Sequence, residues 1–257
     1  MLASLFDLTG RTALVTGGSK GIGKGVARAY AEAGADVLIC ARHETELQAA
    51  AREIAEALPV RVEYAVVDML DRARVDHLAH EALHRMGKVD ILFNNAGNNR
   101  PQTLADTTDA VWDEILELNF TSCMRLARAL VPGMIARHWG RIVYTSSVMA
   151  FASNPGRGLY SGTKAALVGM TRAQALELGP FGITVNCLAP GPVLTDLPLS
   201  LLDAEQKQRF ADRTAVKRWG QVADMVGPAL LLSSDAGAYI TGSTILADGG
   251  LVCRTFD

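Results

Sequence analysis

A doubly wound α/β fold, one seven-stranded parallel sheet with helices on both faces, is what three features of this sequence predict. Short apolar runs alternate with longer amphipathic ones almost from end to end, the pattern of strands joined by crossover helices. The short runs read as continuous Val, Ile and Leu, as parallel strands buried on both faces do. A glycine cluster, Gly17-Gly18-Ser19-Lys20-Gly21-Ile22-Gly23, stands between the first apolar run and the first amphipathic one. Right-handed crossovers then wind the βαβα order into an open sheet.

The apolar runs place strands at Thr12–Thr16, Asp36–Cys40, Arg61–Val67, Val89–Asn94, Arg141–Ser146, Ile183–Leu188 and Thr244–Ala247. Helical stretches fall between them at Gly21–Ala33, Glu44–Leu58, Asp71–Met86, Asp109–Ala136, Leu159–Leu178 and Ala223–Leu232. One stretch is irregular. From Pro190 to Lys217 prolines mix with alternating apolar and charged residues, and a long connection leaving the carboxyl end of a strand reads as a substrate lid, at about 191–217.

The 257 residues, 49% hydrophobic and 20% charged, suffice for one sizeable core, so residues 1–257 read as a single catalytic domain. A formal charge of −2 exerts no global pull toward nucleic acid or acidic membranes, and any anion site must be local. Cys40, Cys123, Cys187 and Cys253 are far apart, form no CxxC and follow no secretory signal, so a reduced, cytoplasmic setting is expected. No apolar run approaches the ~18 residues of a membrane helix.

The glycine cluster sits where a strand hands over to a helix, so backbone amides and the helix dipole favour a pyrophosphate there. Glycines let the chain turn sharply and let phosphate oxygens approach. The spacing of Gly17, Gly21 and Gly23 is not GxGxxG, and the Gly-Lys-Ser/Thr ending of a nucleotide hydrolase is missing. The second strand runs into Arg42, close to where NAD-binding chains place an acid for the ribose 2′-hydroxyl. Arg42 and Lys20 can instead neutralise a 2′-phosphate, which favours NADP(H) over NAD(H).

Tyr160 and Lys164, spaced i, i+4, share one face of a helix. Bringing a phenol from its ordinary ~10 to neutrality takes about 4 kcal/mol, which one cation at ~4 Å supplies at an effective dielectric of ~20. An isolated YxxxK is usually just a polar helix face; here it keeps company.

With Asn94-Asn95-Ala96-Gly97 and Ser146-Ser147 upstream of that pair, the chain resembles the short-chain dehydrogenase/reductase family over essentially its full length. The resemblance implies a single-domain Rossmann fold that moves a hydride between a nicotinamide and a carbonyl or alcohol. It implies catalytic roles for Asn119, Ser147, Tyr160 and Lys164. Ser147 would polarise the substrate oxygen, Tyr160 would transfer the proton, and Lys164 would hold the ribose hydroxyls and stabilise the phenolate. Asn119 falls inside a helical stretch, where a kink and a water site would explain it. For the cofactor the resemblance implies Gly17, Ser19, Lys20, Gly21, Ile22, Gly23 and Arg42. It adds Asp68, at the end of the third strand, on adenine, and Asn95 and Gly97 at the fourth. Asn186, Pro190, Gly191, Val193 and Thr195 resemble the segment lining the nicotinamide.

Arg100 and Arg157 flank the expected mouth of the site and could meet an acidic substrate. The Arg213-Thr214 and Arg218-Trp219-Gly220-Gln221 segments resemble sugar-acid dehydrogenases of the gluconate 5-dehydrogenase type. The enzymatic alternative is a 3-oxoacyl thioester reductase; the non-enzymatic one is a cofactor-sensing regulator, against which the intact catalytic set argues. His77, His80 and His84 share a helix face, but with no Cys or carboxylate to complete a coordination sphere they read as a solvated face, and no metal is expected. Small residues Ala165, Ala166, Gly169 and Ala173 on the catalytic helix permit close helix packing. By the resemblance that packing, with the segment from Tyr239 to Gly250, would build a homotetramer; burial within one subunit is the competing explanation.

Overall fold

The computed structural model describes residues 2–195 and 203–253. A short helix α1 (Leu2–Leu5) precedes β1 (Thr12–Thr16), α2 (Gly21–Glu32), β2 (Asp36–Ala41), α3 (Glu44–Ala55), β3 (Val62–Val66), α4 (Arg72–Met86) and β4 (Ile91–Asn94). Then come α5 (Asp109–Leu116), a π-helical turn (Glu117–Thr121), α6 (Ser122–Arg137), β5 (Gly140–Thr145), α7 (Gly158–Leu178) and β6 (Ile183–Pro190). The chain continues through α8 (Ala204–Arg213), α9 (Val222–Ser233) and β7 (Thr244–Ala247).

All seven strands pair in parallel in the order β3-β2-β1-β4-β5-β6-β7. Alternate residues of each strand point to opposite faces, and each face has its own core. Leu14, Leu38, Leu92 and Tyr144 pack with α4, α6 and α7 through Leu78, Leu126 and Leu167. Ala13, Val15, Ile39 and Phe93 pack with α2, α3 and α9 through Tyr30, Leu47 and Met225. The order reverses between β1 and β4, so the connections leaving those two strands diverge and open a crevice at their carboxyl ends, where open α/β sheets hold ligands.

Three expectations need correction. The helix expected at Asp109–Ala136 is not continuous: at Glu117–Thr121 it widens to a π turn, closed by Ser122 N–H on Glu117 O five residues back. The stretch read as irregular contains α8, whose Phe210 packs edge-on against Trp219 at 5.4 Å between ring centroids; its segment 196–202 lies outside the described residues. Asp68 does not end the third strand, since β3 closes at Val66. Among the described residues no helix is long and apolar enough to cross a membrane.

Candidate active site

Gly17 and Gly21 adopt φ of +65° and +56°, a left-handed backbone that glycine enters without strain. Gly23 is fixed by space: a Cβ there would stand 2.2 Å from Gly17 O and 2.6 Å from Asn95 Nδ2. The turn is held from the fourth strand, because Asn95 Nδ2 donates to Thr16 O (3.1 Å) and Gly17 O (3.3 Å), while the Thr16 hydroxyl oxygen accepts Asn95 N–H and Ala96 N–H. Asn95 thus fixes the shape of the glycine turn. Helix α2 starts from an extended Lys20 with no side-chain cap, leaving its first amides without a side-chain acceptor; Ile22 packs on the core.

Ser19 Oγ donates to Glu46 Oε2 (3.4 Å), and Lys20 Nζ lies 3.8 Å from the same oxygen. Arg42 is exposed just past β2, without an ion pair among the described residues. Asp68, also exposed, spends Oδ1 on Leu70 N–H.

The catalytic candidates gather at the carboxyl ends of β4 and β5. Lys164 is buried, and its Nζ donates to Thr145 O at 2.7 Å, lying 5.6 Å from the centre of the Tyr160 ring. Two ammonium donors remain for other partners. Gly97 abuts this centre: a Cβ would come within 3.1 Å of Asn119 Oδ1 and 3.4 Å of Lys164 Nζ. Ser147 caps a one-turn 3-10 helix (Val148–Ala150), its Oγ accepting Met149 N–H at 3.1 Å, so its own hydroxyl proton stays available for a substrate oxygen. α7 packs directly on that turn.

Asn119 sits in the π turn, fully buried. Its Nδ2 donates to Asn98 O (2.9 Å) and Thr163 Oγ1 (3.2 Å), and its Oδ1 accepts Asn98 N–H (2.9 Å). The expected kink is therefore a π turn, and the amide is spent on holding the loop after β4.

Beyond β6, Gly191 N–H bonds Ala247 O, and a Cβ at Gly191 would stand 2.6 Å from Asp248 Cα. Val193 is buried and bridges Gly220, and Thr195 Cγ2 lies 3.2 Å from where a Gly21 Cβ would be, so this segment arches back over the glycine turn. Asn186 does not join it. Its Nδ2 donates to Ile240 O and its Oδ1 accepts Ser243 N–H, which commits it to the turn before β7.

Arg100 Nε and Nη2 both donate to Glu114 Oε1 (3.1 and 3.0 Å), while Arg157, half-buried at the start of α7, has no side-chain partner among the described residues. His77, His80 and His84 are exposed, and no group of metal-binding side chains occurs among the described residues. Cys40, Cys123 and Cys187 are buried free thiols; burial pushes them up to about 12, 11 and 11, away from reactivity. On α7, Ala165, Gly169 and Ala173 are exposed and Ala166 is half-buried, so that small-residue face is not buried within the subunit.

Sequence reasoning missed Thr163 and Thr16. Thr163 accepts from Asn119 Nδ2 and donates to Tyr160 O (2.8 Å), linking the π turn to the catalytic helix. A threonine one residue before Lys164, at i+3 from Tyr160, carried the signal, since mid-helix threonines bond back to the preceding turn.

The family model of short chain dehydrogenases matches residues 11–206. A gluconate 5-dehydrogenase of Gluconobacter oxydans is 37% identical over 96% of this chain and 96% of its own length. A 3-oxoacyl-[acyl-carrier-protein] reductase of Aquifex aeolicus is 34% identical over 95% of this chain and 98% of its own. The crystal structure of a gluconate 5-dehydrogenase from Burkholderia cenocepacia in complex with NADP and tartrate superposes with a TM-score of 0.93, at 34% identity, covering 99% of this chain and 100% of that one.

Proposed function

The chain belongs to the short chain dehydrogenase family as an oxidoreductase acting on CH–OH groups, and on that premise we propose that it interconverts a carbonyl and a secondary alcohol on a small, acidic, sugar-derived substrate with NADP(H). The observation that carries the reading is the buried Lys164 ammonium, tethered to Thr145 O beside the Tyr160 ring, with Gly97 leaving space around it.

The glycine turn, Gly97 and the segment from Pro190 to Thr195 fit a dinucleotide, with the pyrophosphate on the uncapped start of α2. When bound, the nicotinamide exchanges the hydride. Ser147 donates a hydrogen bond to the substrate oxygen where negative charge grows. Tyr160 delivers the proton in reduction and removes it in oxidation, and Lys164 stabilises the phenolate while its remaining donors hold ribose hydroxyls. Asn119 positions the loop after β4. Lys20 and Arg42, with no acid ending β2, support NADP(H) over NAD(H).

An acidic substrate is supported by Arg100, whose Nη1 edge has no partner among the described residues. It is supported too by the relatives named gluconate 5-dehydrogenase and by the tartrate held by one of them. Reduction of a 3-oxoacyl thioester is the second reading, on the name of the Aquifex relative. We read residues 1–257 as one catalytic domain with a lid at about 191–217. The exposed small-residue face of α7 supports a homotetramer, and the cytoplasm is the expected setting. NADPH consumption followed by absorbance over a panel of keto sugar acids, neutral ketones and 3-oxoacyl thioesters tests the proposal. Turnover confined to the thioesters would move the assignment to the second reading, and none on any carbonyl would refute it.

A further inference from the structure

We infer that Glu46 sets the cofactor selectivity of this site. Its carboxylate holds the two side chains of the glycine turn that a 2′-phosphate would need, and it offers the ribose 2′-hydroxyl of NAD(H) the acid that β2 does not supply. The inference rests on the proposed use of a nicotinamide dinucleotide.

One oxygen of Glu46, Oε2, takes both contacts: the Ser19 hydroxyl at 3.4 Å and the Lys20 ammonium at 3.8 Å. Glu44, the other acid in the first turn of α3, is engaged elsewhere, its Oε1 accepting from Gln48 Nε2 and Tyr64 OH. Glu46 is therefore the first-turn acid that meets the glycine turn. Arg42 flanks the same place: Thr16 and Cys40 are register partners, Gly18 N–H bonds Cys40 O at 3.1 Å, and Arg42 follows two residues on.

Two consequences of opposite sign follow. A phosphate dianion must displace the carboxylate from Lys20 and Ser19 and then remain close to it, so like charge opposes NADP(H) even as Lys20 and Arg42 favour it. The Lys20–Glu46 pair is exposed on both sides, 62% and 45%, so the exchange itself is easy. A ribose 2′-hydroxyl meets no such repulsion and can donate to the carboxylate, the contact by which an acid at this edge of the sheet recognises NAD(H). The missing acid of β2 is thus replaced from α3, and the chain accepts both cofactors with a smaller margin for NADP(H) than its cations alone would set.

The test is binding without turnover. Isothermal titration of the full-length protein with NADPH, NADH, adenosine 2′,5′-bisphosphate and ADP compares wild type, Glu46→Gln and, as a control, Glu44→Gln. Glu46→Gln is expected to tighten NADPH and the bisphosphate threefold or more, and to weaken NADH and ADP; Glu44→Gln should change none of them. Equal shifts for both cofactors, or NADPH binding that is unchanged or weakened, would overturn the inference. Wild-type preference for the bisphosphate over ADP tests the NADP(H) reading separately: it can fail while Glu46→Gln still acts as expected, or hold while it does not.

Discussion

Asn98 and Asn119 hold each other through a reciprocal pair of hydrogen bonds, each 2.9 Å, between the main chain of one and the side-chain amide of the other. The pair joins the loop leaving β4 to the π turn, and through Thr163 the same amide reaches the turn of α7 that carries Tyr160. A catalytic-looking residue is here a positioning one by its side chain. Replacing Asn119 with Ala leaves the Asn98 N–H and carbonyl without their partners, at a cost of ~1–3 kcal/mol. Urea unfolding should show that loss, and turnover should fall with it.

Tyr160→Phe should lower turnover by at least ~10²-fold, the lower range for a general acid, while nicotinamide cofactor affinity stays within about twofold. The proposed mechanism gives the proton to the phenol, and the Lys164 tether to Thr145 O does not depend on it. A folded variant that turns over near the wild-type rate would remove Tyr160 from the mechanism.

Gly97→Ala places a methyl 3.1 Å from Asn119 Oδ1 and 3.4 Å from Lys164 Nζ. Both neighbours are held by their own hydrogen bonds, so the methyl cannot be accommodated freely; overpacking of this kind costs ~1–3 kcal/mol. Thermal unfolding together with cofactor titration should show both stability and affinity reduced. Wild-type values for both would mean that the loop after β4 yields.

Arg100→Ala should raise KM for an acidic substrate roughly tenfold or more, the loss of a ~1.5–3 kcal/mol charge-assisted contact, and barely affect a neutral ketone. Glu114→Gln frees the guanidinium edge now held by Glu114 and should lower KM for the acid. Equal responses of charged and neutral substrates would make the Arg100–Glu114 pair purely structural.

Asp224 closes the start of α9, accepting Gln221 N–H at 2.7 Å and a two-pronged contact from Arg218. The Arg218 hydrogen bond first, then the backbone bond, hold its carboxyl down at about 2. A folded value below the ordinary ~3.9 means that its contribution is present above pH ~4 and is lost as pH falls toward ~2. The difference in melting temperature between wild type and Asp224→Asn should therefore be larger at pH 6 than at pH 2.5. A constant difference would contradict the assignment.

Much of the fold was legible because its signals are local. Short apolar runs at β1, β2 and β5 can be read from a few adjacent residues, and the glycine turn and YxxxK carry their geometry in their spacing. α8 was less legible. Its amphipathic stretch sits among prolines, and its burial depends on Trp219, which also donates to Lys207 O.

By itself, then, the sequence determined the sheet, the placement of the glycine turn at the first strand–helix junction, and the sharing of one helix by Tyr160 and Lys164. Tertiary structure alone decided where side chains spend their hydrogen bonds. Asn119 turns to Asn98, Asn186 to Ile240 and Ser243, Asn95 to the glycine turn, and Glu46 to Ser19 and Lys20. The reason is physical: backbone patterns repeat over a few residues and can be read from spacing, whereas a polar side chain is satisfied by groups tens of residues away that only the packed sheet brings within 3.5 Å.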